Sequence, residues 1–424
     1  MSEHKKNIVH NFISLSLVQG LTILFPLITF PYLLRVLGVE GFGIFTLIQT
    51  GIMYFDMLVS FGFGLTATKH ISESRLDKEK TQKIISTVYI IKSILFIFSV
   101  LLLVLGCLFL PYLRQNLLLV AISPAYLLGN LLFPDWYFQG IQKMRNITIV
   151  AFVSKLVSLL LIFLLVKGKS DLVYVVLSLS AGNIVAGLLG IFILGRYISL
   201  KLKLPAKDFI ITMFKESAYV FTSIILAPFY SSVNIFILQG FTNPLMVGQY
   251  AVAEKIFNAI GMLTSIANRT FYPHLSQLYS SSVIGYRRNV RRIVLLFAAC
   301  FFALALLQFF YADFIVHIVS GKTAKADVGY AVDILRIMSI ALLFSPYASF
   351  FFQLLVIQGQ KKASITNITA IVIINLITAC TLTYLYSGKG MAINVCIIVF
   401  SIGLFNFISF NKKHGSSIRG TLKS

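Results

Sequence analysis

Acidic residues are scarce in this 424-residue sequence: 14 Asp and Glu stand against 36 Lys and Arg, and charged residues make up only 12%. So few charges cannot solvate the surface of a water-soluble globule of this size. Cysteine is scarcer still. Cys107, Cys300, Cys380 and Cys396 sit singly in apolar runs, with no CxxC pair and no Cys/His cluster. That spacing supports neither a disulfide framework nor a zinc site. The sequence contains no Walker A loop, nucleophile elbow or metal-ligand spacing, so no cofactor, no metal and no enzyme chemistry are expected. Any energy source is then an ion gradient, the membrane potential or mass action. The glycines of GVEGFG (Gly38, Gly41 and Gly43) fall in a turn between apolar runs and cannot form a nucleotide fingerprint. The longest loops hold roughly twenty residues, too few to bury a core of their own.

Apolar sequence fills the rest. Hydrophobic residues make up 58% of the chain, and the mean hydropathy is +0.89. A helix needs about 20 apolar residues to cross the hydrocarbon core. Twelve stretches qualify, at about 10–34, 42–67, 84–109, 117–138, 147–166 and 172–194, then 216–238, 247–272, 291–311, 331–357, 364–386 and 390–410. The expected fold is an all-α polytopic membrane protein, with twelve transmembrane helices in two pseudo-symmetric six-helix lobes around a central cavity. Residues 1–200 form the N-terminal lobe (spans 1–6) and 201–424 the C-terminal lobe (spans 7–12). The basic start, MSEHKKNIVHNF, leads straight into the first span without a small-residue cleavage site and reads as a retained signal anchor.

Basic residues orient the chain. With the N-terminus inside, 24 of the 36 Lys and Arg fall in inside segments, 7 in outside segments and 5 within spans. The positive-inside rule then puts both termini in the cytoplasm of a multi-pass inner-membrane protein. The net charge of +22 is thereby accounted for without nucleic acid. Clusters such as Arg287, Arg288, Arg291 and Arg292, or Lys201, Lys203 and Lys207, hold topology and touch anionic membrane lipid.

A diverged internal repeat supports two lobes. Leu24-Phe25-Pro26 matches Leu226-Ala227-Pro228 at an offset of 202, and Gly43-Ile44-Phe45 matches Gly248-Gln249-Tyr250 at 205. Gln139-Gly140 returns as Gln358-Gly359 at 219, and Gly168-Lys169 as Gly388-Lys389 at 220. Six spans per half make the repeats parallel, as in transporters that bind substrate between halves and expose it on alternate sides. Pro26 and Pro228 each remove a backbone donor within a span and are expected to bend it.

The five charges inside spans carry the functional reading. A Lys or Arg at mid-membrane costs about 2.5–3.5 kcal/mol on insertion scales, so it faces a wet cavity or a partner. Lys92 and Lys155 lie about 12 Å deep and have no acidic residue within four positions. Lys255 follows Glu254; Arg336 lies one turn after Asp333; Arg269, near the inner end of its span, can snorkel to headgroups. Together Lys92, Lys155, Lys255, Arg336 and Arg269 suggest a cationic cavity for an anionic substrate. Asp56, alone near the middle of span two, is a candidate for proton coupling or for pairing across helices, as are Glu254 and Asp333.

Thr29 to Phe45 (TFPYLLRVLGVEGFGIF), the Asp56 span and Pro134 to Met144 (PDWYFQGIQKM) resemble the Wzx-type O-antigen and polysaccharide-repeat flippases. These belong to the multidrug/oligosaccharidyl-lipid/polysaccharide exporter superfamily. The resemblance implies a MATE-like fold and, as substrate, an undecaprenyl-pyrophosphate-linked oligosaccharide moved from the inner to the outer leaflet. Polysaccharide polymerase and chain-length machinery are the partners it implies. A cation-coupled multidrug exporter of the same superfamily is the nearest alternative, though a lysine-bearing cavity repels cationic drugs. A membrane-embedded polysaccharide polymerase fits less well, because the widest outside loop is short and carries only Asp313 and Asp327.

Overall fold

The computed structural model describes the backbone of residues 3–198, 205–321 and 325–421. Side chains are described for residues 20, 24–198, 205–225, 232–282, 284–321, 328–360 and 363–412. Apart from one 3-10 turn (Lys169–Asp171), every regular element among the described residues is an α-helix. In chain order these are α1 (Glu3–Ser60), α2 (Thr66–Glu73), α3 (Lys78–Phe109), α4 (Pro111–Gln115), α5 (Leu117–Leu132), α6 (Asp135–Gly140) and α7 (Met144–Leu165). They continue as α8 (Leu172–Gly195), α9 (Lys207–Phe241), α10 (Pro244–Ser281), α11 (Val283–Phe310), α12 (Ala312–Ser320), α13 (Lys325–Ile357) and α14 (Lys361–Thr421).

Two of these helices are each two rods. At 1.5 Å per residue α1 would run about 87 Å, far beyond a hydrocarbon core of about 30 Å. It is broken at Gly38 (φ 74°, ψ 175°), a conformation that the missing Cβ makes accessible. α14 is broken likewise at Ser387 (φ 51°, ψ −130°). Both breaks fall where the sequence places loops. Helical dihedrals continue through Pro26 and Pro31, so the interruption of α1 sits at the glycine and not at a proline. Pro228 falls among residues 226–230 and so lies outside the described side chains.

Eight stretches among the described residues are long and apolar enough to cross a membrane. Their surfaces suit lipid. Only 28% of the most apolar part of α3 is buried, and Leu108 on it is 71% exposed. So much contiguous apolar surface would drive aggregation in water, whereas in a bilayer it is the lipid contact. The molecule is an all-α, multi-pass membrane protein.

The chain divides into two compact units. The first comprises Met1–Leu37 with Leu47–Ile225, the second Gly38–Thr46 with Leu226–Ser424. Close helix approach in each depends on small residues, the usual solution where no hydrophobic effect drives helices together. In the first, a Cβ on Gly182 of α8 would lie 1.9 Å from Ser158 Oγ of α7. In the second, a Cβ on Gly248 of α10 would lie 1.9 Å from the Val39 carbonyl, and one on Gly43 2.0 Å from the Pro244 carbonyl. That contact is why residues 38–46 belong with α10. The core of the first unit gathers Trp136 and Phe138 of α6, Phe63, and Ile71 of α2 against the first half of α3.

Candidate functional site

The charged site of the first unit forms where a span is interrupted. α5 stops at Leu132 because Phe133 turns extended and Pro134 follows; α6 restarts at Asp135. Carbonyls in the last turn of a helix are not fully used by its own ladder. Two of them are taken by α3: Lys92 Nζ donates to the Asn130 carbonyl at 2.7 Å, and Tyr89 Oη to the Leu132 carbonyl at 3.0 Å. Tyr89 and Lys92 stand three residues apart and share a helix face.

The Asn130 side chain gathers the third helix. Its Nδ2 donates to Asp56 Oδ1 at 2.7 Å and to Ser60 Oγ at 3.1 Å, both on the second rod of α1 one turn apart. Asp56, Ser60, Lys92, Asn130, Asp135 and Trp136 line a cavity of about 260 Å³. Lys92 is 2% exposed. It interacts electrostatically with Asp135 and Asp56 but pairs with neither within 4 Å. Lys155 of α7 also feels the charge of Asp56, and its Nζ lies 4.8 Å from the centre of the Phe25 ring. A cation over an aromatic face gains about 0.5–2 kcal/mol, more as water is excluded.

The structure therefore brings Asp56 and Lys92 together and sets Lys155 within electrostatic reach. Asn130 and Asp135 escaped the sequence reading. Asn130 is neutral and unremarkable in an apolar run. Asp135 did carry a signal, since a carboxylate directly after a proline, inside a stretch otherwise fit to cross the membrane, marks a broken span.

In the second unit the remaining candidates form smaller groups. Glu254 and Lys255, neighbours on α10, are half-buried, and the charge of Lys255 acts on Glu254. Asp333 of α13 bridges two cations: Lys389 Nζ at 2.8 Å and Arg336 Nη1 at 3.9 Å. Lys389 also lies 5.0 Å from the Tyr330 ring centre, two residues beyond the break in α14. Arg269 is exposed on α10.

Comparison with known proteins places this arrangement. The family model for "Polysaccharide biosynthesis protein" matches residues 8–279. A protein of Escherichia coli (strain K12) provisionally named O-antigen transporter is 30% identical over 405 residues, covering 93% of this chain and 94% of that protein. One of the same name from Shigella dysenteriae is 28% identical, covering 93% of this chain and 98% of that protein. Among solved structures, the lipid II flippase MurJ in an inward closed conformation aligns with a TM-score of 0.67 at 16% identity, covering 95% of this chain and 87% of that one. An inward-facing multidrug resistance MATE family transporter of the MOP superfamily aligns at 0.63 and 13%, covering 93% and 98%. These likenesses establish a MATE-like fold. The named relatives are transporters, not enzymes. With the family model matching more than half of its length, the chain belongs to the polysaccharide biosynthesis protein family.

Proposed function

We propose that this chain is a flippase. It moves undecaprenyl-pyrophosphate-linked oligosaccharide repeat units from the cytoplasmic to the periplasmic leaflet of the inner membrane, for O-antigen or a related surface polysaccharide. The observation that carries this reading is Lys92, an almost wholly buried ammonium in a span-lined cavity, within a chain whose relatives are named O-antigen transporters. The fold it shares with a lipid II flippase supports the same class of cargo. Twelve crossings with both termini cytoplasmic belong to this reading. They follow if α1 and α14 each cross twice and α9 and α10, at 35 and 38 residues, each cross once.

Substrate pyrophosphate is the anion for which Lys92, Lys155, Lys255, Arg336 and Arg269 compete with protein carboxylates. Around Lys92 the competitors are Asp56 and Asp135. A carboxylate that takes a proton gives up its electrostatic hold on Lys92 and releases the ammonium to phosphate. Proton and substrate therefore bind cooperatively, and in an alternating-access cycle a pH gradient acts on transport through this carboxylate. Glu254 beside Lys255 and Asp333 beside Arg336 repeat the arrangement in the second unit. The inside-negative potential adds about 2.3 kcal/mol per exported negative charge per 100 mV. Once flipped, the repeat unit passes to polymerase and chain-length machinery.

A cation-coupled multidrug exporter is the second reading, favoured by one observation: the first cavity holds two carboxylates to one lysine. Expression in a flippase-deleted strain separates the two. Wild type is expected to restore surface glycan, and Lys92→Ala and Lys155→Ala to lose it at normal protein levels. Drug resistance without glycan would establish the exporter, and intact glycan in both variants would remove these lysines from the site.

A further inference from the structure

A second cavity, of about 740 Å³, lies wholly within the second unit, walled by α10, α13 and both rods of α14. Its size falls within the roughly 300–1,000 Å³ of small-molecule sites. Seven of its lining side chains are amides or hydroxyls and none is ionisable. Such groups inside a membrane span cost free energy unless they find partners. Some pair among themselves: Asn367 Nδ2 donates to Asn406 Oδ1 at 3.0 Å, and Asn268, just behind the wall, donates to Ser349 Oγ at 2.6 Å. Capacity is left over. The Asn258 side chain makes no hydrogen bond among the described residues, and Asn268, 1% exposed, keeps a buried side-chain carbonyl oxygen with no partner.

The internal repeat explains where this cavity comes from. The 205-residue offset carries Asp56, Met57 and Ser60 onto Gly261, Met262 and Ser265. The 219-residue offset carries Asn130 and Phe133 onto Ser349 and Phe352. All five starting residues line the charged cavity, and all five destinations line the uncharged one. The two are the same place in the two repeats with the charge removed: Gly261 stands for Asp56, and Leu354 falls at the position of Asp135.

We infer that the second-unit cavity is a carbohydrate site, which takes uncharged sugar residues of the lipid-linked substrate. The inference rests on the flippase reading and names which part of the cargo goes where. Sugar hydroxyls donate and accept alike, as amide and hydroxyl side chains do, and Phe257 and Phe352 offer flat apolar faces to the C–H side of a pyranose ring. An uncharged wall offers a pyrophosphate hydrogen bonds but no countercharge. The cavity also lies where cargo enters. Ser349 and Phe352 are eight and five residues from the end of α13 at Ile357, about 8–12 Å, an end that is cytoplasmic in the proposed topology.

Gly261 allows the test, because a Cβ built there meets nothing within 4 Å. Full-length protein in nanodiscs is titrated with two probes: undecaprenyl pyrophosphate alone, and the same lipid carrying the oligosaccharide made by the cells that express this chain. Wild type and Gly261→Ala should bind the glycolipid at least tenfold more tightly than the bare lipid. Gly261→Phe should abolish that advantage while leaving bare-lipid affinity unchanged. Asn258→Leu, at an exposed position with no bond to lose, should reduce it several-fold and decides the matter should Gly261→Phe not fold. Equal weakening of both probes would assign the cavity to the polyprenyl chain, and no change in either would make it structural; both overturn the inference alone. Wild type binding neither probe would overturn the flippase reading and this inference together.

Discussion

At the scale of single residues, the chemistry turns on a neutral side chain. Asn130 offers its amide to Asp56 and its carbonyl to Lys92, so it holds the two charges near each other without letting them collapse into an ion pair. A buried pair locked together would be hard to separate for transport, since each ion would have to be desolvated again alone. Asp56→Asn tests this. The amide still accepts from Asn130 but cannot exchange a proton, so the variant should fold and bind substrate while its transport rate stops responding to an imposed pH gradient. A rate that tracks the gradient as in wild type would move coupling away from Asp56. Lys92 and Asp56 were legible in the sequence because a charge in an apolar run is expensive and therefore conspicuous. Asn130 was not, because an amide costs far less and leaves no spacing signature. Nor does the Lys155–Phe25 contact, which pairs residues 130 positions apart.

At the scale of elements, apolar run length located the helices well, since crossing a bilayer leaves little choice of secondary structure. The breaks at Gly38 and Ser387 fall in turns that the sequence marks. The break before Pro134 was read through as continuous span, because Trp136, Tyr137 and Phe138 of α6 are apolar enough to extend it. Proline acts differently by position: Pro134 follows directly on the end of α5, whereas α1 keeps helical dihedrals through Pro26. Small residues proved more telling. Gly248→Val should fail to fold or lose transport, because any Cβ there meets the Val39 carbonyl at 1.9 Å. Gly261→Val, thirteen residues along the same helix and facing open space, should reach normal membrane levels. Thermal unfolding of the two in detergent compares them directly, and equal melting temperatures would mean that the residue 38–46 contact contributes nothing to the second unit.

At the scale of the molecule, a basic, acid-poor, apolar chain repeats short stretches of its first half in its second and then departs from them in charge. The repeat was visible as four short matches at slowly growing offsets. Which cavities those offsets superimpose became clear only with the lining residues in place, because cavities are built by side chains far apart in sequence. The most direct test reconstitutes the purified protein in proteoliposomes, with labelled undecaprenyl-pyrophosphate oligosaccharide and a membrane-impermeant glycosidase outside. The protein should speed exposure of inner-leaflet glycan at least tenfold over empty vesicles, and further when an imposed potential or pH gradient favours anion exit. Glycan crossing no faster than in protein-free vesicles, under any gradient, would contradict the account.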